Sequence, residues 1–193
     1  MPASLPASGK TEGGGYTTVV NAKAGNELAK LSHYKKSGEV SMVDVSSKAV
    51  TMRKAVGHAF VRMTPKVLRA VRELKNPKGN PLEVARISGI AAAKRTAEWI
   101  PLCHPLPLTH IDVTPTLCKD GVEIRATVTA TAQTGVEMEA LVAVCCAALT
   151  VYDMCKALDK GIEITDVYLL KKMGGKSGDF VHVRKKSPKK AKR

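Results

Sequence analysis

Asp153 and Lys156 are the residues whose spacing speaks most directly of chemistry. Three positions apart on a helix, they share a face and lie within reach of each other. On an open surface such a pair means little. Held out of water, a carboxylate beside an amine becomes a proton-transfer device, because desolvation and the opposite charge set both pKa values. His104 is a second candidate. It follows Cys103, and prolines on either side hold it in a stiff backbone. Neighbouring side chains on an extended segment point apart, so Cys103 and His104 are not read as a nucleophile pair or a metal site. The third candidate, Gly174-Gly175-Lys176-Ser177, invites comparison with a Walker loop. That pattern needs a glycine where this chain has Leu170, and no helix pattern follows. What remains is either a basic loop that touches phosphate or a plain turn.

One element must position most of these groups. The stretch 133–161, QTGVEMEALVAVCCAALTVYDMCKALDKG, opens with Thr134 three residues before Glu137, a capping-box arrangement. Lys156, Lys160 and Gly161 supply the cationic and left-handed signals of a helix C-terminus. Between them Leu141 to Tyr152 is apolar on nearly every face apart from Thr150, so the helix is expected to be buried all round. The apolar run is short for a bilayer span, which takes about 18 residues or more. Ionisable residues sit at the two ends only: Glu137 and Glu139 first, Asp153 and Lys156 last. Glu139 and Asp153 are fourteen positions apart, roughly 21 Å along a helix axis. If both serve one reacting centre, they come from different subunits, and the enzyme is an obligate oligomer with shared sites.

The rest of the chain reads as intermixed strands and helices. Residues 1–30 are rich in Gly, Ala, Ser and Pro and are expected to be a disordered extension. Segments 41–47 and 50–63 carry β-branched residues in partial alternation and predict one or two strands, with Lys48, Arg53 and Lys54 beside them. Thr64-Pro65 opens a helix with Val67, Leu68, Val71 and Leu74 on one face. Asn76 to Pro81 is a loop, and a second helix is predicted from Leu82 to about Trp99. The run Ala91-Ala92-Ala93 there permits another backbone to come close. Segments 108–117 and 122–130 predict antiparallel strands around the turn Lys119-Asp120-Gly121, and 162–170 a further strand. No regular βαβ alternation appears. The expected class is α+β, helices packed on a mostly antiparallel sheet.

A chain of 193 residues has the volume for one real core. The net charge of +14 suggests a nucleic-acid binder, but Arg184 to Arg193 alone carries seven positive and no negative charges. The remaining excess suits an anionic small molecule equally well, and aromatic stacking platforms are scarce. The five cysteines show no CxxC pair and no zinc-ligand spacing, so free thiols in a reducing compartment are expected. No secretory leader is expected, since no basic region followed by an apolar one is seen near Met1, and with the first arginine at Arg53 an Arg-rich transit peptide is not expected either.

Several blocks, in order, resemble the signature segments of the cyclic pyranopterin monophosphate synthases of molybdenum cofactor biosynthesis. They are MVDVSSK (Met42 to Lys48), VARISGIAAAKRT (Val84 to Thr96), IPLCHPL (Ile100 to Leu106), TGVEMEAL (Thr134 to Leu141), ALTVYDMCKALDKG (Ala148 to Gly161) and GGKSGDF (Gly174 to Phe180). The resemblance covers 31–180, leaving 1–30 and a basic tail, 181–193, outside the synthase domain. It implies a ferredoxin-like subunit in a cytoplasmic hexamer, a trimer of dimers with the site between subunits. It also implies a lyase that converts 3′,8-cyclo-7,8-dihydroguanosine triphosphate to cyclic pyranopterin monophosphate and pyrophosphate. No cofactor, metal or membrane is implied, and nucleic acid is not an expected partner. By position Asp153 matches the catalytic acid/base, with Lys156, Lys78 and His104 as its catalytic partners. Leu102, Cys103, His104, Glu137, Met138 and Glu139 match substrate-binding segments. Lys48, Arg53, Lys172 and Lys176 fall where cations would meet phosphates.

Where the family commonly reads Lys-Gly-Asp, this chain has Lys78-Gly79-Asn80, which keeps hydrogen bonding and loses a charge. The competing class is a basic nucleic-acid-binding module. Deleting Pro188 to Arg193 separates the two: a synthase keeps its turnover, whereas a binding module loses salt-dependent affinity for polynucleotide. A family member that lost catalysis is disfavoured by the intact Lys78, His104, Asp153 and Lys156.

Overall fold

The computed structural model describes residues 39–183. The expected extension at 1–30, residues 31–38 of the expected synthase domain and the basic run from Arg184 lie outside them. Strand β1 (Thr51–Arg62) is followed by helices α1 (Pro65–Arg72), α2 (Pro81–Ala93) and the one-turn α3 (Thr96–Trp99). Next come β2 (Leu108–Leu117), β3 (Gly121–Ala132), the long α4 (Glu137–Cys155), β4 (Glu163–Met173) and the short β5 (Phe180–Val181). The sheet order is β2-β3-β1-β4-β5 with every neighbouring pair antiparallel. With α1, α3 and β5 as additions, this is the β-α-β-β-α-β order of a ferredoxin-like α+β fold.

Alternation in β3 explains which face is covered. Val122, Ile124, Ala126 and Val128 are fully buried under the helices, while Glu123, Arg125, Thr127 and Thr129 turn the other way. Helix α4 lies on the sheet beside α2, and two glycines let these backbones approach. A Cβ on Gly57 of β1 would stand 2.5 Å from the Ala140 carbonyl oxygen of α4. A Cβ on Gly89 of α2 would stand 2.9 Å from the Ala143 carbonyl oxygen. The close approach predicted for the alanine run is therefore centred on Gly89. Ser88 and Thr150 add a 2.7 Å hydroxyl contact between the two helices.

Several local expectations need correction. The capping box does not form: α4 begins at Glu137 itself, Val136 is the cap residue, and no side chain bonds to it. The helix stops at Cys155, short of Gly161, whose N–H instead bonds to Asp159 in the turn before β4. The predicted helix from Leu82 to Trp99 breaks at Lys94 and Arg95. There the buried Thr96 hydroxyl donates to the Ala93 carbonyl, competing with the helical ladder. Segment 41–47 forms no strand; Asp44 accepts the Ser46 N–H and Lys48 bonds back to Val45, which makes a turn.

Nor is α4 covered all round. Leu149 is 56% exposed, and on α2 Ile87 is 66% exposed, so the outer side of the helix layer is apolar and open. By length and composition alone, α4 is also apolar enough to cross a bilayer. The short-run argument does not exclude a span, but its packing against the sheet and α2 makes α4 the central core helix.

Candidate active site

The candidate residues gather in three places, set by the two ends of α4. At its C-terminal end, Lys78 and Lys156 converge on Asp153. Lys156 Nζ donates to Asp153 Oδ1 at 2.6 Å and Lys78 Nζ to Oδ2 at 2.8 Å, and Lys78 reaches the Asp153 carbonyl as well. Each of the three side chains is about half exposed in the protomer. Within a single protomer, then, the fold does not bury the pair. Hydrogen bonds from Lys156 and then Lys78 hold the Asp153 carboxyl down to about 2, and the same contact pushes the Lys156 ammonium up. Of the two influences, desolvation and the opposite charge, the opposite charge dominates in the protomer.

Lys78 arrives here because its loop is a tight turn. Gly79 N–H bonds to the Asn76 carbonyl with Gly79 at φ +91°, a conformation side chains disfavour. Asn80 then caps α2 by accepting the Leu82 N–H, and Pro81 occupies the first helical position. The loss of an aspartate's charge at Asn80 leaves that cap intact.

Around the N-terminal end of α4 lies a cleft of about 850 Å³. Lys48, Arg53, Lys172 and Lys176 line it together with Glu137. The four cations come from separate parts of the chain: the 45–48 turn, β1, β4 and the loop after β4. Arg53 is fixed by donating to the Ala132 and Gln133 carbonyls at 3.3 Å. Lys172 donates to Ser177 at 2.7 Å, and Gly174 N–H bonds to Asp179, closing the glycine loop. Gly175 has a positive φ, and a Cβ there would overlap the Arg53 guanidinium. The loop is thus an ordered turn leading into β5 and forms one wall of a cationic cleft. The positive end of the α4 dipole adds to the field.

Beside it a pocket of about 140 Å³ is lined by His104, Glu139 and the α2–α3 break, including Arg95. His104 Nε2–H donates to the Val43 carbonyl at 2.9 Å, tying the MVDVSSK segment down and leaving Nδ1 for another partner. Glu139 is 3% exposed, and its Oε2 has no hydrogen-bond partner among the described residues. Burial pushes its carboxyl upward. An orphaned buried acceptor suits a ligand that brings its own N–H. Burial first, and the Glu139 charge second, raise the adjacent Cys103 thiol, which is the wrong direction for a nucleophile. Leu102 and Met138 are half-buried next to these residues.

Residues 42–175 match the profile of the MoaC family. The chain belongs to the MoaC family. Among similar proteins is a cyclic pyranopterin monophosphate synthase of Shouchella clausii, 51% identical over 162 residues, which cover 82% of this chain and 98% of that protein. One from Nostoc sp. is 53% identical, covering 79% and 92% of the two chains. One from Chloroflexus aggregans is 54% identical, covering 79% and 94%.

In this MoaC chain each site residue that the resemblance implied lies in one of the three places or is a close chain neighbour of one that does. Helix α4 runs unbroken from Glu137 to Cys155, so Glu139 and Asp153 stay roughly 21 Å apart along its axis. Sequence reasoning passed over Gln133 and Thr134 as lining of the cleft, and Asn76, whose side chain is buried beside Lys78. Only the placement of Asn76 in a Pro- and Gly-containing loop marked it, and that composition signals a turn without a role.

Proposed function

We propose that this chain is a cytoplasmic lyase that converts 3′,8-cyclo-7,8-dihydroguanosine triphosphate into cyclic pyranopterin monophosphate and pyrophosphate. The observation that carries the reading is the convergence of Lys48, Arg53, Lys172 and Lys176 on one cleft at the N-terminus of α4. Four cations at a helix N-terminus neutralise a triphosphate and the departing pyrophosphate. The neighbouring pocket receives the guanine-derived ring, whose N–H groups fill the orphaned Glu139 acceptor while His104 Nδ1 faces the sugar or ring. Leu102, Cys103, Glu137 and Met138 complete that wall.

Proton transfers fall to Asp153, Lys156 and Lys78. With its carboxyl held at about 2, Asp153 is a carboxylate at neutral pH, and the lysines beside it are the donors. Protonating a ring nitrogen or a leaving oxygen is then a lysine's task; Asp153 orients that lysine, and the amine left behind is the base that takes the return proton. The reaction uses no redox cofactor. For these groups to meet the substrate, the C-terminal end of α4 in one subunit must face the cleft of another. The apolar outer side of the helix layer, with Ile87 and Leu149, supports self-association, and we read the assembly as a hexamer built as a trimer of dimers. Packing against a partner would also remove the water that the isolated triad sees. All five cysteines are free, in keeping with a reducing cytoplasm.

The deciding experiment supplies the cyclised GTP intermediate to the purified protein and follows pterin product and pyrophosphate. Formation of both in equal amounts is the expected outcome. Pyrophosphate without pterin, or neither, would end this reading.

A further inference from the structure

The geometry points to Asn76 as a positioning residue that fastens the Lys78 loop to the end of α4 and so sets the Lys78–Asp153 contact. The inference rests on the reading that Lys78 and Asp153 work together. Asn76 is 5% exposed, and its carboxamide is fully used. Nδ2 donates to the Met154 carbonyl at 3.1 Å and points at Cys155 Sγ at 3.4 Å. Oδ1 accepts the backbone N–H of Lys78 at 2.9 Å. The amide cannot be flipped: a carbonyl only accepts and a backbone N–H only donates, so the reverse orientation would oppose like groups twice.

This one side chain therefore joins the backbone of Lys78 to the residue that follows Asp153. It does so at the last turn of α4, where carbonyls lack helical donors and need an outside partner. The Lys78–Asp153 ion pair does not hold the loop by itself, because both side chains are about half exposed and solvent screens them. The buried amide does.

Asn76→Asp tests this selectively. It keeps an acceptor for the Lys78 N–H and sets an oxygen against the Met154 carbonyl. Asn76→Ala, which introduces no repulsion, is the second variant should the first fail to fold. In the folded variant kcat should fall by about tenfold or more, as small misplacements at a reacting centre do. KM should stay within about twofold, because the cationic cleft lies at the other end of α4. In a Lys78→Ala background the same change should cost less than about twofold in kcat, since its effect runs through Lys78. NMR titration of the Asp153 carboxyl gives a readout independent of turnover. It should move up from about 2 toward its ordinary 3.8 when Lys78 is released. An unmoved Asp153 titration with kcat within twofold of the parent overturns the proposal, as do losses that simply multiply in the Lys78→Ala background. If Lys78→Ala alone turns over normally, the reading of Lys78 fails first, and the inference falls with it.

Discussion

At the scale of single residues, the proposed chemistry rests on two ammonium groups sharing one carboxylate. Asp153→Ala and Lys156→Ala should each fold, with a melting temperature at pH 7 lower by no more than a few degrees, and lose turnover by about a hundredfold or more. Near-parental product formation by either would reassign the acid/base pair. The sign of the pH effect is fixed by the direction of the shift. The folded carboxyl titrates at about 2 against an ordinary 3.8, so its contribution to stability is present above about pH 4 and lost as pH falls through 2. The parent should therefore lose melting temperature more steeply than Asp153→Asn across that interval. The pair's types and spacing were legible in the sequence, because a three-residue step fixes a shared helical face. Its solvation was not. Whether half of Asp153 is open to water depends on what packs over it, and no local pattern encodes that. Asn76 was illegible for a related reason: its amide donates to the Met154 carbonyl and the Cys155 Sγ, both far along the chain.

At the scale of elements, glycines decide how close the pieces come. Gly57→Ala drives a methyl into the Ala140 carbonyl and should destabilise by about 1–3 kcal/mol, read as a lower denaturation midpoint with an unchanged slope. The loop after β4 offers an internal comparison. Gly175 and Gly178 both have positive φ, but only at Gly175 would a side chain collide with Arg53, while nothing lies within 4 Å of a Cβ at Gly178. Gly178→Ala should therefore show the backbone cost alone, whereas Gly175→Ala should also raise KM for the triphosphate by about tenfold by displacing the guanidinium. Equal KM values for the two would remove Arg53 from the cleft's working parts. The strands β2 and β3 and the turn between them were readable because alternation and Asp-Gly punctuation agree there. The start of α4 was misread: Thr134 and Glu137 have the right spacing, yet the chain enters the helix at Glu137, whose carboxylate lies over Gly135. Strand β5, two residues long, is too short for any pattern to reveal.

For the whole molecule, the division of labour between the two ends of α4 makes a direct forecast about mixtures. His104→Ala and Asp153→Ala, each inactive alone, should regain up to about a quarter of parental turnover when unfolded and reassembled together, because some mixed interfaces then hold two intact halves. No recovery would mean that each protomer works alone. The helix itself carries a further implication, for the order in which the protein is made. By length and composition α4 would pass for a segment to be inserted into lipid, and in the folded protomer the sheet and α2 cover much of it. Three strands and α2, which supply most of that cover, precede it in the chain, so the growing polypeptide presents a ready bed before this greasy segment leaves the ribosome. A circular permutant that begins at α4 reverses the order, and its nascent chain would be left to aggregate or to be captured by the membrane-insertion machinery.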